Sequence, residues 1–113
     1  MNEMRMFQLF VVNLDPTVGA EINKTRPCLI VSPDEINTYL RTVIIVPLTS
    51  TQRALPTRVL IKATEKSGLA NDSYAALDQL KTVDKSRLAG PIGEISESEK
   101  HAVSSILKEM FEY

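Results

Sequence analysis

The sequence has very few residues able to bind a metal or form a covalent bond. Its 113 residues include one cysteine, Cys28, and one histidine, His101. A single cysteine cannot form an intrachain disulfide, and no cysteine–histidine cluster has the spacing of a zinc site. We expect Cys28 to be a small buried hydrophobic residue opening a strand. One histidine also excludes a nuclease that uses two histidines as acid and base, and we expect His101 to be exposed on a helix.

Common motifs of cofactor and metal enzymes are absent as well. The sequence has no glycine-rich phosphate-binding loop, no Ser-His-Asp set and no carboxylate cluster suited to magnesium. We therefore predict no cofactor and no metal site. Any reaction at this protein has to be carried out with few groups.

Long apolar runs are also missing. The longest, such as Val43–Val46, are too short to span a bilayer, and the N-terminus lacks the apolar core of a signal peptide. Hydrophobic residues make up 43% of the chain and charged residues 24%, which are ordinary values for a folded soluble protein. We expect one domain covering residues 1–113, located in the cytoplasm and without a membrane partner.

The residues that are present predict a mainly β fold. Runs rich in β-branched and aromatic residues are typical of strands, and they occur at 9–12, 29–31, 42–48, 57–62, 73–77 and 88–92. The run 42–48 is almost continuously apolar, which indicates a central strand buried on both faces. Pro91 makes 88–92 an edge strand. The segment 81–85 has the composition of an irregular turn.

Two helices have recognisable starts. Ser32 as a capping residue and Pro33 at the first helical position predict a short helix that ends near Leu40. Near the C-terminus, Ser96 and Glu99 form a capping box. The helix that follows has one apolar face, made of Val103, Ile106, Leu107 and Met110. Together these elements predict a small, strongly curved antiparallel sheet or half-open barrel with a C-terminal helix.

A polar loop at residues 14–27 connects the first two predicted strands. Connections of this length are uncommon in compact domains and are usually functional or disordered. Lys24 and Arg26 place positive charge where the chain re-enters the sheet, and Pro27 restricts Arg26 to extended geometry. Arg26 is therefore the first candidate for chemistry, although it could instead pair with Asp15 or Glu21.

Charge is unevenly distributed along the chain. Thirteen basic and 14 acidic residues give a net charge of −1, which argues against strong non-specific binding to nucleic acid. Residues 41–62, however, contain only basic charges, and the C-terminal segment is rich in glutamate. We expect one basic face and one acidic end, although both could be ordinary solvated surfaces.

Four motifs, in this order, resemble those of the MazF/PemK family of toxin endoribonucleases, which belongs to the CcdB/Kid-like superfamily. The motifs are Asn13-Leu14-Asp15-Pro16-Thr17-Val18-Gly19, Lys24-Thr25-Arg26-Pro27, Val46-Pro47-Leu48-Thr49-Ser50 and Leu77-Asp78-Gln79. Each motif alone is weak, but the ordered series is specific and extends roughly from Phe10 to the end of the chain.

The resemblance implies an SH3-like barrel with added helices, a homodimer and a type II toxin–antitoxin system. Its toxins cleave single-stranded RNA without a metal by attack of the 2′-hydroxyl, which leaves a 2′,3′-cyclic phosphate and a 5′-hydroxyl. A small, partly disordered MazE/PemI-like antitoxin neutralises them. By resemblance, Arg26 would stabilise the negatively charged phosphorane and Thr49 would hydrogen-bond the phosphate or assist the leaving oxygen.

The resemblance also implies a set of RNA-binding residues. These are Thr17, Glu21, Lys24, Ser50, Arg53, Asp78 and Gln79. An acceptor and an amide, as in Asp78 and Gln79, can read base edges. Alternatively, these two side chains and the hydroxyls of Thr49 and Ser50 could satisfy local turns.

The sequence departs from the family pattern at four positions. Family members commonly carry Gly-Asp before the first strand, where this chain has Phe7 and Gln8. Some PemK-type members have a loop histidine and an arginine two residues before the aspartate, where this chain has Ala20 and Ala76. A mechanism based on that histidine and arginine is therefore excluded. A catalytically weakened module that binds RNA or an antitoxin is the first alternative.

A gyrase-poisoning relative on the same fold is the second alternative, because fold does not fix function. Such relatives act through C-terminal aromatic contacts, and Phe111 and Tyr113 are present. We expect Phe111 to pack within the C-terminal helix, which favours RNA cleavage over this alternative.

Overall fold

Seven strands form one curved antiparallel sheet. The computed structural model describes residues 4–113. Its elements are β1 (Gln8–Asn13), β2 (Thr25–Ile30), α1 (Asp34–Tyr39), β3 (Thr42–Thr49), β4 (Arg58–Ile61), β5 (Ser73–Ala76), β6 (Lys81–Asp84), β7 (Leu88–Glu94) and α2 (Glu97–Phe111). Short 3-10 turns lie at Leu77–Gln79 and Lys85–Arg87.

The central strand of the sheet is β3. One side of β3 pairs with β2, and the other side pairs with β6 along its first half and with β5 at its end. The strand order is β4-β5-β3-β2-β1-β7, with β6 next to β3. Within residues 4–113, no ladder joins β4 to β7. The amide of Glu94 donates to the carbonyl of Lys66 at 3.1 Å, which links the end of β7 only to the loop after β4. The expected antiparallel sheet with a C-terminal helix is confirmed, whereas the described residues show no strand pairing that closes it into a barrel.

Both faces of β1, β2 and β3 are buried. The helix-side core lies under α2 and consists of Leu9, Leu29, Val31, Val46, Leu48, Val59, Ile61, Ala75, Leu77, Ile95 and Val103. The loop-side core on the opposite face consists of Phe10, Val12, Leu14, Cys28, Ile30, Val43, Ile45 and Val83, with Ile22 packed against it. Neighbouring residues alternate between the cores, as the period of two in a strand requires. The predicted burial of β3 on both faces is therefore confirmed.

The C-terminal helix forms as its sequence predicts. The Ser96 hydroxyl accepts from the Glu99 amide at 3.2 Å, and the Glu99 carboxylate accepts from the Ser96 amide at 2.8 Å. Val103 is fully buried, and the rest of the predicted apolar face packs on the helix-side core. His101 is exposed, as expected. Phe111, in contrast, is 69% exposed, so the prediction that it packs within the helix is wrong.

Cys28 is fully buried within β2 rather than at its first residue. Burial raises the pKa of its thiol to about 12, because the thiolate would lose its hydration. The thiol is therefore neutral at physiological pH, as expected for a packing residue.

Three local expectations are wrong. Residues 81–84 form β6 instead of an irregular turn, because Val83 is buried and the segment pairs with the start of β3. The strand β2 begins at Thr25, so Arg26 and Pro27 lie within it. The short helix α1 is capped by Pro33. Ser32 instead accepts from the Ile44 amide at 3.0 Å, which ties the start of α1 to β3.

Phe7 adopts a backbone conformation that favours glycine. Its φ is +73°, in the left-handed region that is costly for residues with a Cβ atom. Its amide donates to the carbonyl of Ile30 at 2.7 Å and its carbonyl accepts from the amide of Ile95 at 3.3 Å. These two bonds fix the backbone, while the ring packs on the helix-side core. Glycine adopts such a conformation without strain.

Phe7→Gly is therefore expected to be more stable than Phe7→Ala. Both variants lose the packing of the ring, but only glycine removes the left-handed strain, which should make its free energy of unfolding higher by about 1 kcal/mol. Urea unfolding measures the difference. Thr82, exposed in β6, is the matched control, because alanine should be the more stable of its two replacements in a regular strand. The interpretation is contradicted if alanine is also the more stable replacement at position 7.

Candidate functional site

The loop between β1 and β2 is an ordered structure with its own hydrogen bonds. At its base, the amide of Leu14 donates to the carbonyl of Lys24 at 3.0 Å, and the amide of Lys24 donates to Oδ1 of Asp15 at 3.0 Å. Near its tip, Oε1 of Glu21 accepts from the amide of Val18 at 3.0 Å. Thr17 is half-buried, whereas Glu21 and Lys24 are exposed.

Arg87, in the 3-10 turn before β7, binds the base of this loop. Its Nη1 donates to the carbonyl of Asn13 at 3.2 Å and also to the carbonyl of Asp15. The contact was missed at the level of sequence, because Arg87 follows Asn13 by 74 positions and no local motif marks it.

Arg26 is anchored by main-chain carbonyls. Its Nε donates to the carbonyl of Asn23 at 2.8 Å and its Nη1 donates to the carbonyl of Leu48 at 3.2 Å. Within residues 4–113, no ion pair involves Arg26, so pairing with Asp15 or Glu21 is not observed. Arg26 is half-buried, and its guanidinium is held from two sides.

Thr49 is the last residue of β3 and is 9% exposed. The β2–β3 ladder ends at the pairing of Cys28 with Pro47, and Arg26 and Thr49 each lie two residues beyond that pair. The Thr49 hydroxyl oxygen accepts from the amide of Thr51 at 3.2 Å, which leaves its hydrogen available to a ligand. Ser50, the next residue, is exposed.

Thr49 opens into a groove of about 320 Å³. Four of the predicted site residues line this groove, namely Thr49, Arg53, Asp78 and Gln79. Ala20 and Ile22 from the loop line it as well. A second cavity, of about 380 Å³, adjoins it; Glu21, Pro47 and Lys81 line it. Ala20, Ile22, Asp78 and Gln79 line both cavities, so these residues separate them. Four predicted site residues lie outside the lining of both cavities: Thr17, Lys24, Arg26 and Ser50.

Asp78 is paired with a cation inside the chain. Its Oδ1 accepts from Nε of Arg58 at 2.9 Å and from the hydroxyl of Thr57 at 2.9 Å, and its Oδ2 accepts from Nη2 of Arg58 at 3.2 Å. The hydrogen bonds from Arg58 lower the pKa of the carboxyl below its ordinary value. Part of the basic segment 41–62 is thereby neutralised. Arg58 is not among the predicted catalytic or RNA-binding residues.

Gln79 is also engaged within the chain. Its Oε1 accepts from the amide of Ile22 at 2.8 Å, and its Nε2 donates to the carbonyl of Ala20 at 3.3 Å. The amide predicted to read RNA bases therefore holds the loop wall of the groove.

The donor set of the site contains fixed cations and hydroxyl groups. In the part of the chain that the structure describes, no three His, Cys, Asp or Glu side chains come together as a metal site. Arg53 and Thr49 line the groove, and Arg26 is anchored to the carbonyl of Leu48, the residue before Thr49. Guanidinium and hydroxyl groups of this kind can bind an anionic ligand such as a phosphate. None of the helices in residues 4–113 is long and apolar enough to cross a membrane.

Comparison with known proteins identifies the family of this chain. The family model for the PemK-like, MazF-like toxin of type II toxin–antitoxin systems matches residues 5–111. The chain belongs to this family. The resemblance predicted from the four motifs is confirmed.

Individual relatives of the MazF family match over nearly the whole chain. "Endoribonuclease MazF9" from Mycobacterium tuberculosis is 36% identical over 111 residues, which cover 93% of each protein. The structure of "Mycobacterium tuberculosis toxin MazF-mt6" superposes with a TM-score of 0.77 at 27% identity, covering 92% of this chain and 95% of that one. The crystal structure of MazF from Deinococcus radiodurans shares the fold over all of both chains, with a TM-score of 0.83 at 23% identity.

The structure gives a clear setting for Ala20 and Ala76, two positions at which the sequence departs from the expected family pattern. Ala76 is fully buried in β5, so an arginine side chain would not fit there without repacking. Ala20 is exposed, and its contact with Gln79 uses only its carbonyl. The loop can therefore keep its position without a histidine at residue 20.

The ion pair of Asp78 predicts a pH-dependent stability. Because folding lowers the pKa of Asp78 from its ordinary value of 3.8, the pair stabilises the fold above that value, and the contribution is lost as the pH falls through the lower folded pKa. Since Asp78 is partly exposed, Asp78→Asn is expected to lower the free energy of unfolding at pH 7 by only about 0.5–1 kcal/mol.

Urea unfolding of both proteins between pH 7 and pH 2 measures this difference, which should vanish at the acid end. Glu65→Gln, at an exposed position, is the control and should show little difference at any pH. A deficit of Asp78→Asn that stays constant down to pH 2 would show that the ionised pair is not its cause.

Proposed function

We propose that this chain is the toxin of a type II toxin–antitoxin system and that it acts as an endoribonuclease, cleaving single-stranded RNA in the cytoplasm without a metal ion. The observation that carries the proposal is the placement of the Arg26 guanidinium. It is fixed by the carbonyl of Asn23 in the loop and by the carbonyl of Leu48 near the end of β3. The next residue of β3, Thr49, lines the groove. The relative named "Endoribonuclease MazF9" supports an RNA-cleaving activity.

The reaction uses the nucleophile that RNA itself carries. The 2′-oxygen loses its proton and forms a bond to the adjacent phosphorus, and the bond from phosphorus to the 5′-oxygen breaks as that oxygen gains a proton. The products are a 2′,3′-cyclic phosphate and a 5′-hydroxyl. The pentacoordinate transition state carries more negative charge than the phosphodiester, so a preorganised cation lowers the barrier.

Arg26 has the properties that this transition state needs. Two of its donors hold main-chain carbonyls, and its remaining N–H groups can bind the non-bridging phosphate oxygens. Because its orientation is fixed before the substrate binds, little reorganisation is needed during the reaction. Thr49 donates its free hydroxyl hydrogen to the phosphate and positions it, since an alkyl hydroxyl is a weak acid.

The RNA chain follows the basic groove in this proposal. Arg53 lines the groove near Thr49, and Lys24 and Thr17 lie on the adjoining loop, with Ser50 exposed beside Thr49. These groups contact phosphates and base edges, with Glu21 as a further acceptor. Asp78 and Gln79 shape the wall between the two cavities.

Two partners complete the proposal. A homodimer would cover a sheet border such as the edge at β7, which contains the predicted edge strand 88–92. The strand at 9–12 is not such a border, because β1 pairs with both β2 and β7. An acidic segment of a cognate MazE/PemI-like antitoxin would occupy the basic groove near Arg26, Arg53 and Arg58, neutralise its charge and exclude RNA.

The first test is incubation of the purified protein with a long unstructured RNA in EDTA. Discrete cuts whose new 5′ ends carry a hydroxyl are expected, because the attack by the 2′-oxygen needs no metal. RNA that is retained in a gel shift but stays intact would contradict the nuclease and favour the binding module. Phe111 and Tyr113 are exposed, so inhibition of DNA gyrase in a parallel assay would favour the gyrase-poisoning alternative.

Removal of the two catalytic side chains is the second test. Arg26→Ala is expected to lower kcat/KM by about 10²–10³-fold, comparable to loss of one oxyanion donor. Thr49→Val removes the hydroxyl at nearly constant volume and is expected to lower it by about 10-fold, while Thr49→Ser retains most activity. Arg41→Ala, at an exposed position at the opposite end of β3, is the control and should cut at the wild-type rate. Equal rates for Arg26→Ala and the wild type would contradict the proposed mechanism.

A further inference from the structure

The side chain of Gln79 bridges the loop and the sheet. Its two amide atoms bind the amide of Ile22 and the carbonyl of Ala20, which flank Glu21 in the loop. Among the hydrogen bonds within residues 4–113, only those of Gln79 connect residues 16–22 to a distant part of the chain. The Ile22 side chain packs against the loop-side core, so Gln79 fixes the direction of the backbone at that point.

The next residue along the loop orients Arg26. Asn23 directly follows Ile22, and its carbonyl accepts from Nε of Arg26 at 2.8 Å. The second anchor of Arg26 is the carbonyl of Leu48 at 3.2 Å, in the rigid central strand. One anchor of the guanidinium therefore belongs to the sheet, and the other belongs to the loop segment that Gln79 holds.

The base of the loop is held by other groups. Arg87 binds the carbonyls of Asn13 and Asp15, and Oδ1 of Asp15 accepts from the amide of Lys24. Loss of the Gln79 contacts should therefore leave the loop attached at its base but allow the backbone at Ile22 and Asn23 to rotate. The expected effect is local to the Arg26 anchor and to the wall between the two cavities.

We propose that Gln79 is a positioning residue, which holds Ile22 and Asn23 so that the carbonyl of Asn23 orients the guanidinium of Arg26. The inference rests on the proposed endoribonuclease function. It assigns Gln79 an effect on the chemical step through Arg26, instead of direct reading of an RNA base. A small rotation of a catalytic cation lowers the reaction rate, because stabilisation of the transition state depends on the alignment of the cation with the developing charge.

The test compares Gln79→Met, which keeps the length of the side chain but removes both hydrogen bonds, with Gln79→Glu, which keeps the acceptor for Ile22 and loses the donor to Ala20. Gln8→Met is the matched control, because the Gln8 side chain accepts from the amide of Arg5 at 3.0 Å, at the start of β1. Each protein is examined by amide hydrogen exchange at Ile22 and by the NMR signal of the Arg26 Nε–H. The Nε–H of Arg58, bonded to Asp78 at 2.9 Å, is the internal reference.

In Gln79→Met, the Ile22 amide is expected to exchange about 10-fold faster, and the Arg26 Nε–H should shift and exchange faster while that of Arg58 stays unchanged. With RNA as substrate, kcat should fall by about 10-fold with KM within about 3-fold of the wild type, since the lost interaction acts in the transition state. Gln79→Glu should keep the Ile22 amide protected and give an intermediate kcat. Gln8→Met should match the wild type in every measurement.

A higher KM with unchanged kcat and unchanged Ile22 exchange would overturn the proposal and identify Gln79 as a direct RNA contact. Unchanged exchange at Ile22 and an unchanged Arg26 signal would overturn it regardless of kinetics. If the wild type cuts no RNA, the proposed function fails, while the Ile22 and Arg26 signals still decide whether Gln79 orients the guanidinium.

Discussion

The burial of β3 on both faces is the constraint on which the rest of the structure depends. A strand with apolar residues on both sides cannot carry charged groups along its length, because an unpaired buried charge is too costly. Polar groups can therefore appear only where the strand ends, and Thr49 is its last residue. The Leu48 carbonyl next to it anchors Arg26 at 3.2 Å. The position of the candidate site thus follows from the position of the core.

Features with a local cause could be predicted from the sequence, and features that depend on distant contacts could not. The capping box of Ser96 and Glu99 and the apolar run of β3 each lie within a few residues, and both formed as expected. The strand β6 was missed because its polar residues resemble a turn, and only pairing with β3 makes it a strand. The contacts of Gln79 and Arg87 join residues 57 and 74 positions apart, a separation for which a single sequence has no signal.

The motif resemblance identified Arg26 but not the partners that give it its properties. Two arginines near the groove have opposite surroundings. Arg58 pairs with the carboxylate of Asp78, whereas Arg26 binds only main-chain carbonyls. A carbonyl fixes a guanidinium without cancelling its charge, so Arg26 remains available to an anion. The difference between the partners of Arg26 and Arg58 depends on which groups the fold brings next to each guanidinium, and residue types alone do not reveal it.

Anchoring through the main chain also makes the position of the loop independent of the side chain at Ala20. Gln79 and Arg26 bind the amide of Ile22 and the carbonyls of Ala20 and Asn23, which are groups that any residue except proline supplies. The side chain at residue 20 is then free to change without moving the loop. The side chain of Gln79 has no such freedom, because it must reach both an amide and a carbonyl. Variation should therefore be tolerated in the loop and constrained at the residue that holds it.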